Sequence, residues 1–549
     1  MSDIFGYKIK PGHVLIAILL IGAVIRFWGL GSSELFHDEG FYAFRAIGNL
    51  DYIQNDDQTT PIQWFAESTL PWWTGLSFHD HPKLYFLIAN LFFRMFGDSL
   101  FVARLPSAIS GVISIWLIYL LVRKLAGNRP DGGEWIALLS AAALSVNHVH
   151  VWISRSVLME SIQISAVLLN ILLFLIFLED RRKWIFFGLS LGACFLIKYT
   201  GLFLLPVYFL HILLFKKEFI LERNLRLSLG IAFLVLSPVI VYNLYLYSSV
   251  GHFDLQLAFI FGQDTPEWRA SLGKILAPFS DFGMNMAAMY SVPFLLISAF
   301  GFIFGAYNLS SGGRNRLSAF SVLSVFSIIV MLIFAGSAYR FLSLLSPFLA
   351  ILSVIMLLEI WKFSGGKEIS RFLIAGFLIY EMYFAIDGAF LTFPDFGIVR
   401  LDDYLEQVFD GRRSPAPPES SNPHLQKIIA ENLLKYPPAD TPFMVIYDEN
   451  LALSARLWLF TRRIYYHGIS AVTTGQFKGF LRTRGAESLS GYKIYFIKAY
   501  PYTSLNQSLS VPDAAEFESF LTVGLNLAPA KRITGYRNLP MFDVYEFTM

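Results

Sequence analysis

The sequence predicts a mainly α, polytopic membrane protein of about eleven transmembrane helices, in a range of eleven to thirteen, with a C-terminal soluble α/β domain. Three observations predict it. Of 549 residues, 55% are hydrophobic and only 15% charged, against roughly a quarter charged in an ordinary soluble protein. The mean hydropathy of +0.53 exceeds what one buried core absorbs, because a globular surface needs polar cover. Apolar runs near the length a bilayer requires, about 20 residues, recur as far as residue 392 and then stop.

Taken in order, the runs are 12–30, 103–122, 135–150, 157–178, 184–198, 201–216, 227–249, 289–308, 318–336, 341–361 and 371–392. The first reads as a retained span, since no small-residue cleavage site follows it. Clusters at Arg123/Lys124/Arg129, Arg181/Arg182/Lys183, Lys216/Lys217/Arg223/Arg226, Arg314/Arg316 and Lys362/Lys367/Arg371 alternate with connections poor in Lys and Arg. The positive-inside rule puts these clusters in the cytoplasm. The N-terminus is then cytoplasmic, and residues 31–102, 148–156, 250–288 and everything after 392 lie outside. The apolar stretch 84–96 would reverse the parity of every later loop if it crossed. It is also short, so it reads as an interfacial helix.

The expected division is a membrane module over 1–392, including the outer loop 31–102, a Pro/Ser-rich linker over 393–424, and an outer soluble domain over 425–549. In that domain 443–447, 463–466, 493–498 and 542–547 read as strands, with a helix over 450–460. With 43 Lys+Arg against 41 Asp+Glu, no global field recruits nucleic acid. Cys194 is the single cysteine, so no intrachain disulfide forms.

Chemistry concentrates in the first outer loop. Residues 31–82 hold eight acids (Glu34, Asp38, Glu39, Asp51, Asp56, Asp57, Glu67, Asp80) and one base, Arg45. Asp38 and Glu39 follow the first span closely and precede the amphipathic segment 41–50. A carboxylate held there suits a general base toward a hydroxyl arriving along the membrane; equally, Asp38 suits the N-cap of a helix over 40–49. The run His79-Asp80-His81 has ligand types for a divalent metal, without an identifiable third ligand. Ionisable residues also sit at span ends: Arg155 and Glu160, Lys198 and Tyr199, Tyr339 and Arg340. Each has a plain reading as a side chain snorkelling to the interface. Together they place cations at three outer turns, suited to an anionic head group undergoing displacement.

The order Arg26, Asp38-Glu39 with Tyr42 and Arg45, His81-Pro82-Lys83-Leu84-Tyr85, Phe96-Gly97-Asp98 and Ala103-Arg104-Leu105-Pro106-Ser107-Ala108 resembles the N-terminal half of the C class of membrane glycosyltransferases, GT-C. Within that class it is similar to the protein O-mannosyltransferases and the lipid A aminoarabinose transferase. Ser154-Arg155-Ser156 with Glu160, the segment Phe195 to Gly201, and Tyr339-Arg340-Phe341-Leu342 with Pro347 keep the order, and the resemblance spans residues 10–360. It implies inverting transfer of a sugar, hexosyl or pentosyl, from a polyprenyl-phosphate or dolichyl-phosphate donor to a lipid, glycan or protein acceptor on the extracytoplasmic face. By the same resemblance Asp38 is catalytic with Glu39 beside it, Lys198 binds the donor phosphate, and Tyr339 or Arg340 matches a second head-group position. Glu160 matches an acidic position often filled by Asp. Tyr199, Arg155, His81 and Lys83 join the candidate substrate-binding set, Lys83 standing where relatives commonly carry a second proline. No cofactor is required, beyond the divalent metal that His79, Asp80 and His81 would accommodate. The competing reading is a lipid or sugar transporter or flippase, which would gather paired charges near the midplane of two repeated halves; a scaffold built on the outer domain is a third.

Overall fold

The computed structural model describes residues 10–35, 38–53, 59–127, 133–263, 279–311, 315–365, 368–391, 395–500 and 512–549. Asp56, Asp57, Arg129, Arg314 and Lys367 of the sequence reading lie outside them. The chain is mainly helical and integral to the membrane. It divides into two compact units: Met1–Gly31 with Pro71–Thr392, and Ser32–Leu70 with Phe393–Met549.

Among the described residues of the first unit, seven helices are long and apolar enough to cross a membrane, or eight if Gly133–Ser145 and His148–Ser154, bent by 62°, count as one. Shorter apolar helices occupy Pro11–Phe27, Leu84–Phe96 and Tyr199–Phe215. The first run is therefore shorter than the 12–30 expected, ending at Phe27. Helix starts follow local chemistry. Ser99 accepts from Val102 N at 3.3 Å to open Leu100–Ala126, and Asn147 accepts from His150 N at 3.1 Å to open the second half of the bent pair. The segment Tyr339–Phe363 is the most enclosed. Arg223–Val250, Val292–Ser310 and Glu368–Ile386 instead leave large apolar side chains such as Leu234, Ile303 and Phe372 exposed, as a lipid-facing surface requires. The helix Trp184–Ile197 meets Arg223–Val250 through Gly188 and Gly192. A Cβ at Gly188 would lie 2.5 Å from Ser228 O, so the small residues four apart set the close approach.

The second unit is a five-stranded sheet, β1 (Phe443–Tyr447), β2 (Ser470–Thr473), β3 (Lys493–Ala499), β4 (Lys531–Thr534) and β5 (Pro540–Thr548), in the order β2-β1-β3-β5-β4. β1 runs parallel to β2 and β3, while β5 is antiparallel to β3 and β4. Ile446, Phe496 and Tyr545 pack on one face with Phe477 and Phe517 from helices Thr474–Arg484 and Pro512–Ser519. On the other, Tyr447 stacks on Phe460 at 4.2 Å and Phe443 on Phe409 at 5.1 Å. A central strand covered on both faces explains the unbroken apolar run of β1.

Two expectations are corrected here. Residues 463–466 are helical: Leu453–Arg456, Leu457–Thr461 and Arg463–His467 continue one another. The β-prone Tyr465 and Tyr466 pack against Phe44, Leu425 and Ile429, and this burial outweighs their strand propensity. The region read as a linker carries the helix Ile398–Phe409, which buries Ile398, Leu401, Leu405 and Phe409.

Candidate functional site

In the helical unit, the candidate residues sit where helices break. Glu160 is in the first turn of Met159–Glu179, where the helix dipole favours a carboxylate. The helix Trp184–Ile197 ends at Lys198, which is extended at φ −162° and ψ 141° before a short turn from Tyr199 to Phe203. Arg340 lies in the single turn Tyr339–Leu342 that precedes Ser346–Phe363. Irregular backbone at membrane depth is tolerated where it lines a cavity, and here it does.

Lys198 and Glu160, both buried, form an ion pair through Nζ and Oε1. Arg340 Nε reaches the same oxygen at 3.8 Å. Phe341 lies beneath both cations, with its ring centroid 4.4 Å from Lys198 Nζ and 5.2 Å from Arg340 Cζ. The second oxygen, Glu160 Oε2, is buried without a hydrogen-bond partner among the described residues. Two cations thus converge on one carboxylate oxygen, and around the buried Lys198–Glu160 pair the low dielectric strengthens any interaction with a further anion. Lys198 lines a cavity of about 80 Å³ together with His81, Thr200 and Phe341, and its remaining wall includes Phe259, Ile260 and Met331. The Thr200 hydroxyl is buried and unpartnered among the described residues. The sequence reading missed Thr200, although it follows Lys198-Tyr199 directly and interrupts an apolar run.

The other candidates are placed differently. The Tyr199 hydroxyl donates to Asp254 Oδ2 at 2.6 Å, and Asn243 Nδ2 donates to the same atom at 2.7 Å. Asp254 also caps the helix Leu255–Phe261, so Tyr199 braces the cavity wall. Arg155 Nη1 donates to Ile25 O at 2.8 Å and Trp28 O at 2.7 Å, closing the end of the helix Pro11–Phe27. Lys83 Nζ donates to Gly75 O at 2.7 Å within its own loop. Tyr339 is 46% exposed. His81 Nδ1 lies 2.9 Å from Asp80 Oδ2, and His79 Nδ1 lies 3.9 Å from Asp80 Oδ1; among the described residues His81 does not join His79 and Asp80 in a cluster able to hold a metal ion. Of the three cation-bearing turns, the structure brings Lys198 and Arg340 together and leaves Arg155 apart.

Asp38 and Glu39 belong to the second unit. Asp38 stands at the N-cap position of the helix Glu39–Gly48, as the capping reading expects, though its side chain makes no capping hydrogen bond. Gly40 fixes this helix in place: a Cβ there would lie 2.0 Å from Ser454 O. Phe44 packs with Tyr465 and Tyr466 at 6.1 and 5.5 Å, and Arg45 pairs with Asp51 at 2.6 Å. Glu34 accepts from Ile398 N at 3.0 Å and Val399 N at 3.3 Å, capping a helix more than 360 positions away in the chain. Burial pushes its carboxyl up to about 7, against the opposing pull of those two N–H groups.

The family model for dolichyl-phosphate-mannose-protein mannosyltransferases matches residues 80–242. No curated protein sequence matches the chain. Among solved structures, the chain is similar to ArnT from Cupriavidus metallidurans bound to undecaprenyl phosphate, at 13% identity, TM-score 0.55 and 98% coverage of both chains. It is also similar to the apo oligosaccharyltransferase of Archaeoglobus fulgidus, at 14% identity and TM-score 0.51, covering 91% of this chain and 70% of that one. The chain thus matches that family model over residues 80–242 and shares the fold of the ArnT structure over nearly its whole length.

Proposed function

We propose that the protein transfers a sugar from a polyprenyl-phosphate carrier to an acceptor on the extracytoplasmic face of the membrane. The observation that carries this reading is the pair Lys198 and Arg340 converging on Glu160 beside a cavity whose far wall is apolar. A lipid phosphate presents an anion and a hydrocarbon chain side by side, and this cavity offers complements to both. The ligand of the ArnT structure, undecaprenyl phosphate, belongs to the same chemical class.

In the proposed reaction, an acceptor hydroxyl oxygen attacks the anomeric carbon. The bond from that carbon to the phosphate oxygen breaks, and its electron pair leaves with the phosphate. Asp38 takes the hydroxyl proton as general base, with Glu39 beside it. Lys198 and Arg340 stabilise the departing phosphate, and His81 and Thr200 supply further polar contacts to the head group. One displacement inverts the anomeric configuration, and a phosphate leaving group needs no separate general acid. Eleven spans with the second unit outside would put that unit on the acceptor side. The acceptor is a lipid, glycan or protein hydroxyl.

The test is a transfer assay in proteoliposomes with labelled polyprenyl-phosphate sugars. Lys198→Gln removes a charge-assisted contact to the donor phosphate, and kcat/KM for the donor is expected to fall about a hundredfold. Unchanged donor kinetics in that variant would overturn the phosphate-binding role.

A further inference from the structure

The helix Met159–Glu179 carries Glu160 at one end, and at its other end Glu179 borders a second, larger cavity of about 280 Å³. The two lie one helix length apart, about 30 Å for 20 residues, so the second cavity opens at the Lys/Arg-rich face of the unit. Its volume is several times the roughly 30 Å³ occupied by one water. Lys124, Lys216 and Arg316 line it, with Glu179 and His211, over a floor of leucines.

Four features mark it as a site for an anion. Among the described lining residues three cations face one carboxylate, Glu179, which is paired with Lys124, while Lys216 lies 3.8 Å from Glu218 outside the lining. Lys124 and Lys216 stand at helix C-termini, the ends of Leu100–Ala126 and Leu204–Phe215, where their charges offset the dipole. Arg316 is the reverse: it is the first residue of Arg316–Ala335, where the positive helix end disfavours a cation, and topology alone does not require it to share a cavity with two lysines. An anion bound there would meet both the guanidinium and the helix end. Finally, His211 is buried in the cavity wall, and its Nδ1 has no hydrogen-bond partner among the described residues.

We propose that this cavity binds a phosphate group, carried on the head group of an anionic phospholipid or free in solution. Basic pockets between transmembrane helices take lipid head groups by the same chemistry, and the leucine floor suits the glycerol and upper acyl chain. This site is separate from the candidate donor site and does not depend on its role.

The experiment uses the full-length protein in neutral detergent, with thermal unfolding followed during titration with phosphatidylglycerol, phosphatidylcholine or inorganic phosphate. Phosphatidylglycerol is expected to raise the unfolding midpoint more than phosphatidylcholine. In Lys216→Gln/Arg316→Gln its half-saturating concentration should rise about a hundredfold, tenfold per lost cation. The charge-preserving Lys216→Arg/Arg316→Lys variant should respond as wild type does. The same pattern with inorganic phosphate alone supports the site and assigns it to free phosphate. Equal responses in the wild type and the glutamine variant, or no response to either anion, overturn it. If the double variant does not fold, native mass spectrometry of Arg316→Gln decides: loss of retained phosphatidylglycerol supports the site, and an unchanged adduct pattern contradicts it.

Discussion

Lys198 and Glu160 form a buried ion pair in which the lysine takes one carboxylate oxygen and leaves the other without a hydrogen-bond partner among the described residues. Lys198 ends one helix and Glu160 begins another, so the pair ties two breaks in the helical unit together. Its geometry is that of a cation held ready by a carboxylate that an incoming phosphate can rival.

The pair predicts an asymmetric response to mutation. Glu160→Gln leaves the buried Lys198 without its carboxylate and beside the half-buried Arg340, and removing one partner of a buried pair costs about 3–5 kcal/mol. The unfolding midpoint is expected to fall, and added polyprenyl phosphate should restore more of it than it adds to wild type. A midpoint equal to wild type, or one that the lipid phosphate does not raise, would contradict the arrangement.

Gly40 offers a case in which local and tertiary arguments disagree in sign. In an isolated helix Gly→Ala stabilises by about 1 kcal/mol. Here the added Cβ would collide with the backbone of Ser454, and forced overpacking costs about 1–3 kcal/mol. Gly40→Ala is expected to lower both the stability of the second unit and transfer activity, because the helix it displaces carries Asp38 and Glu39. Limited proteolysis of that unit checks the first effect, and a more resistant variant would refute it.

Glu34 predicts a pH dependence. Its carboxyl titrates near 7 when folded, against an ordinary value of 4.5. Between those values the folded state holds a proton that the unfolded state has released, so stability falls as pH rises. The contribution is fully present below pH 4.5, and up to about 3 kcal/mol is lost by passage through pH 7. Glu34→Gln should be more stable than wild type at pH 8 and equal to it at pH 4.5. Parallel unfolding profiles for the two proteins across this range would count against the shift.

Asp402 behaves in the opposite sense. Burial alone would raise its carboxyl, but Arg462 at 2.8 Å and Arg463 at 2.7 Å hold it below the usual range. Asp402→Asn takes the shared carboxylate from two buried guanidiniums and leaves Arg463 with Glu406 at 3.3 Å; the second unit should lose about 3–5 kcal/mol, read as protease sensitivity at neutral pH. Wild-type resistance would show that the pair contributes little.

The legible part of the sequence was the part governed by local pattern. Apolar runs located the helices of the membrane unit, and the interruptions at Glu160, Lys198 and Arg340 marked the breaks that the fold draws together. Strands β1, β3 and β5 are apolar because they are covered, and they could be read; β2 and β4 are short polar edges and could not. Long-range packing was not legible. Nothing within Arg463-Ile464-Tyr465-Tyr466 itself extends the helix read over 450–460, since the groups that bury the two tyrosines include Phe44 and Leu425. Ser32–Leu70 forms one compact unit with Phe393–Met549 through contacts such as Glu34 to Ile398, which no local window contains. Arg155 illustrates the converse: its charge was visible, but the carbonyls it would meet were not.

Asp38 is the proposed base in sugar transfer from a lipid-phosphate donor. Asp38→Asn keeps the shape of the side chain and removes its basicity, so the measurement is labelled-sugar transfer by folded, membrane-inserted variant and wild-type protein under the same conditions. Wild type is expected to transfer from at least one polyprenyl-phosphate sugar, and the variant to lose at least about a hundredfold; wild-type-like transfer by Asp38→Asn would contradict the role of Asp38 as base.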